Sequence, residues 1–76
     1  MPRFFLNFRD GDYLAKDVEG IEVADLEAAH VKALAAARKT LGNAIKAGQS
    51  QNGRYEITDE AGEVHAVVPL TDVLTP

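Results

Sequence analysis

The chain contains no cysteine, which excludes disulfide scaffolds, thiolate zinc sites and thiol nucleophiles and suits a reducing, cytoplasmic setting. It contains a single serine, Ser50, set in the polar stretch Gln49-Ser50-Gln51-Asn52-Gly53 without a nucleophile elbow, so serine-hydrolase chemistry is excluded as well. None of its glycines forms a Gly-x-Gly, and neither a Walker A nor a dinucleotide-binding motif is present. No apolar run approaches the roughly 20 residues of a membrane-spanning helix. The opening Met1-Pro2-Arg3-Phe4-Phe5 is too short an apolar stretch before Asn7 and Arg9 to read as a signal peptide. Cofactors and membranes are therefore not expected.

With 76 residues, 46% of them hydrophobic and 26% charged, the chain has the composition of one small folded domain spanning 1–76. A chain of this size buries only about 60% of the surface it exposes when unfolded, so its stability margin is narrow and self-association would help. The net charge of −4 hides a division by segment. Residues 28–54 carry Lys32, Arg38, Lys39, Lys46 and Arg54 and no acid, whereas residues 55–76 carry acids and no Lys or Arg. Acids at a helix start and bases along it suit the helix dipole, and oppositely charged segments favour packing near each other. The sharper reading makes the basic helix face an anion-binding surface, although the overall acidity argues against nucleic acid.

Arg3-Phe4-Phe5-Leu6-Asn7-Phe8-Arg9 alternates as a strand, with Phe4, Leu6 and Phe8 on one face and Phe5 and Asn7 on the other. Phe5 also asks for cover, which predicts either an interior strand or a partly covered second face. Asp10-Gly11 marks a hairpin corner in which both residues tolerate positive φ, and Tyr13-Leu14-Ala15 returns beside the first strand. After the Asp17-Val18-Glu19-Gly20 turn, Ile21-Glu22-Val23 is a short extended piece.

Asp25 stands in N-cap position before a helix expected from about Leu26 to Ala47, with Gly48 as its left-handed stop. At about 100° per residue, Leu26, His30, Ala33, Leu34, Ala37, Leu41, Ala44 and Ile45 share the side expected to meet the sheet. Lys32, Lys39 and Lys46 form a row opposite them. The connector 49–53 has no apolar anchor.

Arg54–Thr58 and Glu63–Val68 alternate as two further strands around Asp59-Glu60-Ala61-Gly62. A four-residue loop pairs Ile57 with Val64 and Tyr55 with Ala66, places those four with Val68 on one face, and sets His65 opposite Glu56 on the other. Pro69 ends the last strand or puts it at an edge. The tail Leu70–Leu74 can fold back onto the core. These elements predict an α+β domain of ββαββ order, a small antiparallel sheet with one long helix packed on one face.

Few residues point to chemistry. Asp10, Asp12, Asp17 and Glu19 look at first like a hard-cation loop, but an EF-hand starting at Asp10 would put Leu14 at its fifth position and Ala15 at its sixth, where an oxygen donor and glycine are required. Acidic turns between strands explain the run. His30 reads as a core-edge side chain and His65 as an exposed or half-exposed cross-strand partner, with no metal-binding spacing between them. His65 with Glu56, or the acidic turn, is the best that an enzymatic reading offers. One helix on one small sheet offers no deep pocket to tune a carboxyl group.

Over nearly its whole length the chain resembles a family of short bacterial proteins known as a domain of unknown function. The likeness is carried by Met1-Pro2-Arg3-Phe4-Phe5, the Arg9-Asp10-Gly11-Asp12 turn, Asp17-x-Glu19-Gly20, Asp25-Leu26-Glu27-Ala28-Ala29, Ile57-Thr58-Asp59-Glu60-x-Gly62 and Val67-Val68-Pro69-Leu70. It implies a small α+β domain and no mechanism; a polar residue commonly replaces His30 in that family. Residues 4–47 also resemble the antitoxin half of HicB-type toxin–antitoxin pairs, through Asp10-Gly11-Asp12-Tyr13 and Asp25-Leu26-Glu27-Ala28. That likeness implies a small toxin as partner.

The resulting expectation is a non-enzymatic interaction or regulatory module, with homodimerisation through the sheet face near Phe5. The alternative is a nucleic-acid-binding module using Lys32, Lys39 and Lys46.

Overall fold

The computed structural model describes residues 1–74, with the side chain of Leu74 outside the description. Its elements run β1 (Arg3–Asp10), β2 (Tyr13–Ala15), β3 (Ile21–Glu22), α1 (Leu26–Ala47), β4 (Arg54–Thr58) and β5 (Val64–Pro69), followed by a 3₁₀ turn, Leu70–Leu74. All strand pairs are antiparallel, in the order β2-β1-β4-β5, with β3 pairing the start of β1. This is the expected α+β architecture with one helix on a small sheet, and β1 is interior as its two apolar faces require.

The hairpin corner is Gly11-Asp12, because Asp10 is still paired with Tyr13. Gly11 has φ 60° and is followed by a residue with negative φ, the pattern of a two-residue loop with glycine first, so the expected Asp10-Gly11 corner moves one position on. Between β2 and β3 the edge of β1 is completed by a side chain instead of a strand. The Asp17 carboxylate accepts from the Leu6 N–H at 3.1 Å and from Gly20 N–H at 3.0 Å, while Asp17 N–H donates to Asn7 Oδ1 at 2.9 Å. The expected turn is thus pinned directly to the sheet.

Helix α1 has the predicted bounds and caps. Asp25 accepts from Ala28 N–H at 2.9 Å, and Gly48 closes the last turn in the left-handed conformation. Its buried side is the expected one except at His30 and Ile45, with Ala29 added. Ala29, Ala33, Ala37, Leu41 and Ala44 are buried, Leu26 and Leu34 are half-buried, and His30 and Ile45 are exposed. Alanines at four-residue spacing let the helix axis approach the sheet closely, and the buried stripe follows the smallest side chains instead of the largest. Beneath it lie Ile57, Val68 and Leu70, with Phe4, Leu6, Phe8 and Tyr55 packed around them. The tail therefore does fold back, through Leu70 and half-buried Val73.

The connector into β4 is anchored after all. Gly53 is buried, its carbonyl accepts from Leu70 N–H at 3.0 Å, and a Cβ at this position would stand 2.1 Å from Phe8 Cζ. Only glycine lets the aromatic ring lie against the backbone here.

The β4–β5 register departs from the expected one by two residues. Tyr55 pairs with Val68 and Ile57 with Ala66, and a bulge then brings Thr58 opposite Val64, leaving His65 as the extra residue. Alternation is broken at that point. Val64, expected on the core face, lies on the open face beside Phe5 and Thr58. His65, expected opposite Glu56 on the open face, sits edge-on to the core residue Phe4 at 6.3 Å, and Glu56 pairs with Val67 instead. The physical cause is the Asp59 turn, where Asp59 N–H donates to Glu63 C=O and Asp59 Oδ1 accepts from the N–H groups of Ala61 and Glu63, closing a longer loop than periodicity alone suggests.

Candidate functional site

Since α1 covers one face of the sheet, the other is left open. Antiparallel pairing puts directly opposed residues on the same face, so the register assembles this surface as three cross-strand rows. Leu14, Arg9 and Arg54 form the first, Asn7, Glu56 and Val67 the second, and Phe5, Thr58 and Val64 the third. An open groove of about 480 Å³ runs across it, with Val18 and Lys16 from the turn before β3 on its wall.

The centre of this surface is polar and internally satisfied. Glu56, whose side chain is only 14% exposed, accepts from Arg9 Nε at 3.2 Å and lies 3.4 Å from an Arg54 guanidinium nitrogen. Asn7 spans from Asp17 N–H to Thr58 Oγ1. Its margin is apolar, since Leu14, Val18, Val64 and Val67 are all exposed, Val18 most of all at 85%. Phe5 is half-buried because the Gly20 backbone lies against its ring. The expected partial cover of Phe5 is therefore supplied by the 17–20 turn, and a larger apolar rim surrounds it. Alternation pointed to Phe5, but Leu14, Val18, Val64 and Val67 escaped the sequence reading, Val64 because of the bulge.

Lys32, Lys39 and Lys46 are exposed on the outward side of α1. The structure does not bring them together with Phe5, because sheet and helix place them on opposite faces of the molecule. None of the three forms an ion pair among the described residues; the pairs found are Arg3–Glu22, Arg9–Glu56, Arg54–Glu56 and His65–Asp59. The expected pairing between basic and acidic segments thus reduces to Arg54 with Glu56. Glu27 in the first helical turn and Lys46 in the last do suit the dipole. Of the acids between Asp10 and Glu19, Asp17 serves the turn before β3, accepting from the N–H groups of Glu19 and Gly20.

The bulge creates a second cluster. His65 Nε2 lies 2.7 Å from Asp59 Oδ2, and Glu63 is close enough to complete a group of three potential donors. The hydrogen bond that His65 donates to the Asp59 carboxylate raises the His65 pKa above its ordinary value, against a smaller opposing effect of desolvation. The same hydrogen bond, followed by the one from Glu63 N–H, lowers that of Asp59. Neither His30 nor Glu56 belongs to this group, so the expected His65–Glu56 pair is replaced by His65–Asp59. No helix among the described residues is long and apolar enough to cross a membrane.

A family model described as Domain of unknown function (DUF6894) matches residues 3–71. The chain belongs to this family. The DUF6894 match takes in every strand, the helix and the bulged hairpin, so both the open face and the Asp59–His65 cluster lie within the family's domain. Comparison with curated proteins and with solved structures returned no match, and the HicB-type likeness of residues 4–47 finds no support.

Proposed function

We propose that this DUF6894 domain is a non-enzymatic interaction module whose working surface is the open sheet face, and that its partner there is a second copy of the chain. The observation that carries the reading is an exposed apolar rim, Leu14, Val18, Val64 and Val67, around a polar centre whose hydrogen bonds are already made within the chain. A fixed polar centre demands little reorganisation when water is removed, and the rim supplies the hydrophobic gain. The groove is lined by both signs, Arg9 and Lys16 with Asp17, Glu56, Asp59 and Glu60, a mixture that suits a like surface better than a polyanion. A typical specific interface buries about 800 Å² per partner, roughly one sixth of the 4974 Å² this chain exposes. Stacking of two such sheets, about 10 Å apart, also relieves the narrow stability margin of a small core.

Analytical ultracentrifugation from micromolar to near-millimolar protein tests this. A concentration-dependent dimer is expected, and Val67→Lys, on an exposed rim position, shifts it to monomer without loss of fold. A monomer at every concentration, or a dimer indifferent to Val67→Lys and Leu14→Glu alike, overturns the dimer.

A second reading, binding of nucleic acid by the helix, is supported by the exposure of Lys32, Lys39 and Lys46 and by their lack of ion-pair partners among the described residues. It requires binding at low salt that weakens steeply with added salt, by about one unit of slope per lysine engaged. Absence of binding to random-sequence duplex or single strand at low salt ends it.

A further inference from the structure

The hairpin joining β4 and β5 holds three side chains of complementary ligand type. The donor atoms of Asp59, Glu63 and His65 lie within 4.8 Å of one another. We propose that these three residues bind a divalent transition-metal ion of the Zn²⁺ type, through one imidazole nitrogen and two carboxylate oxygens.

Two features of the fold assemble the set. The bulge takes His65 out of strand alternation and turns it towards the loop, where Nε2 meets Asp59 Oδ2 at 2.7 Å. Asp59 Oδ1 is meanwhile committed to the N–H groups of Ala61 and Glu63, at 2.9 and 3.0 Å, which fixes the carboxylate and leaves Oδ2 to face the imidazole. An ion bound tetrahedrally with bonds of about 2.0–2.1 Å needs its donors about 3.3 Å apart. The His65–Asp59 pair must open by about 0.6 Å, and the exposed Glu63 side chain closes the third position by rotation. Solvent supplies the fourth ligand.

The donor chemistry selects the ion. One nitrogen among three donors suits Zn²⁺ and its neighbours, whereas Ca²⁺ and Mg²⁺ prefer six or more oxygens, which this hairpin does not provide. The local charge also favours a cation, since Glu60 adds a third acid to the loop. Arg3, which shares the rim beside His65, is tied to the Glu19 carbonyl and the Glu22 carboxylate.

The test is a titration of the full, untagged chain with ZnCl₂ near neutral pH, followed by amide and histidine-ring NMR and by calorimetry, with MgCl₂ in parallel. Saturable shifts centred on residues 59–66 and on the His65 ring are expected with Zn²⁺, and none of that pattern with Mg²⁺. Removing a ligand should cost at least the roughly tenfold that loss of an outer-shell partner costs, so His65→Gln weakens binding by that factor or more. Glu63→Gln, at an exposed position where refolding is not at risk, weakens it as well. Shifts centred on His30 or on the Asp10–Glu19 turns, an affinity unchanged by both substitutions, or no saturable shift at millimolar Zn²⁺ overturns the site. Asp59 also borders the groove of the open face, but Glu63 and His65 do not, so the substitutions at those two positions test this reading apart from dimerisation.

Discussion

Replacing Gly53 by alanine is the most direct probe of how the connector is fitted beneath the core. The added methyl would stand 2.1 Å from Phe8 Cζ and 2.7 Å from Cε1. Ordinary carbon–carbon contact is about 3.5–4.0 Å, so the ring must retreat by about 1.5 Å. It cannot do so freely, because Phe8 also packs edge-on against Tyr55 with centroids 5.1 Å apart, and the Tyr55 hydroxyl is held 2.7 Å from Thr40 Oγ1 on α1. Driving the ring off its rotamer costs about 0.5–1.5 kcal/mol, and loosening the aromatic pair costs a further ~0.5–1.5 kcal/mol. Against this, alanine restricts the unfolded chain and returns about 0.4–1 kcal/mol. The net expectation is a loss of about 1–2 kcal/mol, read as a lower urea midpoint at fixed protein concentration, or a fall in Tm of several degrees. Phe8→Leu in the same chain should remove part of that loss, so the double variant is less destabilised than the two single effects added. A Gly53→Ala protein as stable as the parent, or strict additivity with Phe8→Leu, would refute the close approach.

Two other outcomes follow from the polar contacts. Asp17→Ala removes the acceptor that serves Leu6 and Gly20 N–H, and a loss of about 2 kcal/mol is expected with faster hydrogen exchange at Leu6; unchanged Leu6 protection would contradict the assigned role. The His65–Asp59 pair gives a pH window. The His65 contribution, from a raised pKa, is complete below the ordinary 6.5 and lost as pH rises through the folded value. The Asp59 contribution, from a lowered pKa, is complete above the ordinary 3.8 and lost as pH falls through the folded value. The stability difference between the parent and His65→Gln should therefore peak between those two values in urea melts run across pH. A difference that grows on the alkaline side would rule the pair out.

The helix ends and the alternation of β1 were legible in the sequence, and the reason is the range of the interactions involved. The Asp25 cap, the Gly48 stop and the alternation of Phe4, Leu6 and Phe8 against Phe5 and Asn7 are each settled within a few residues of chain. By contrast, the candidate sites depended on distant partners. Placing Phe5 on the uncovered face needed only the period of a strand, but the rim around it collects Leu14, Val18, Val64 and Val67 from three separate segments.

The chain by itself determined the number and kind of its elements, because capping, helix propensity and strand alternation are properties of neighbouring residues. The tertiary structure decided the edges of the buried stripe of α1, since a helix resting on a sheet gains most where alanines permit close contact: Ala29 was drawn in, and Ile45 and His30 were left outside. It also decided the register of the last hairpin. There the Asp59 side chain closes the loop and a bulge sets Ile57 opposite Ala66 and Tyr55 opposite Val68, an outcome that puts His65 beside Asp59 and that no periodicity encodes.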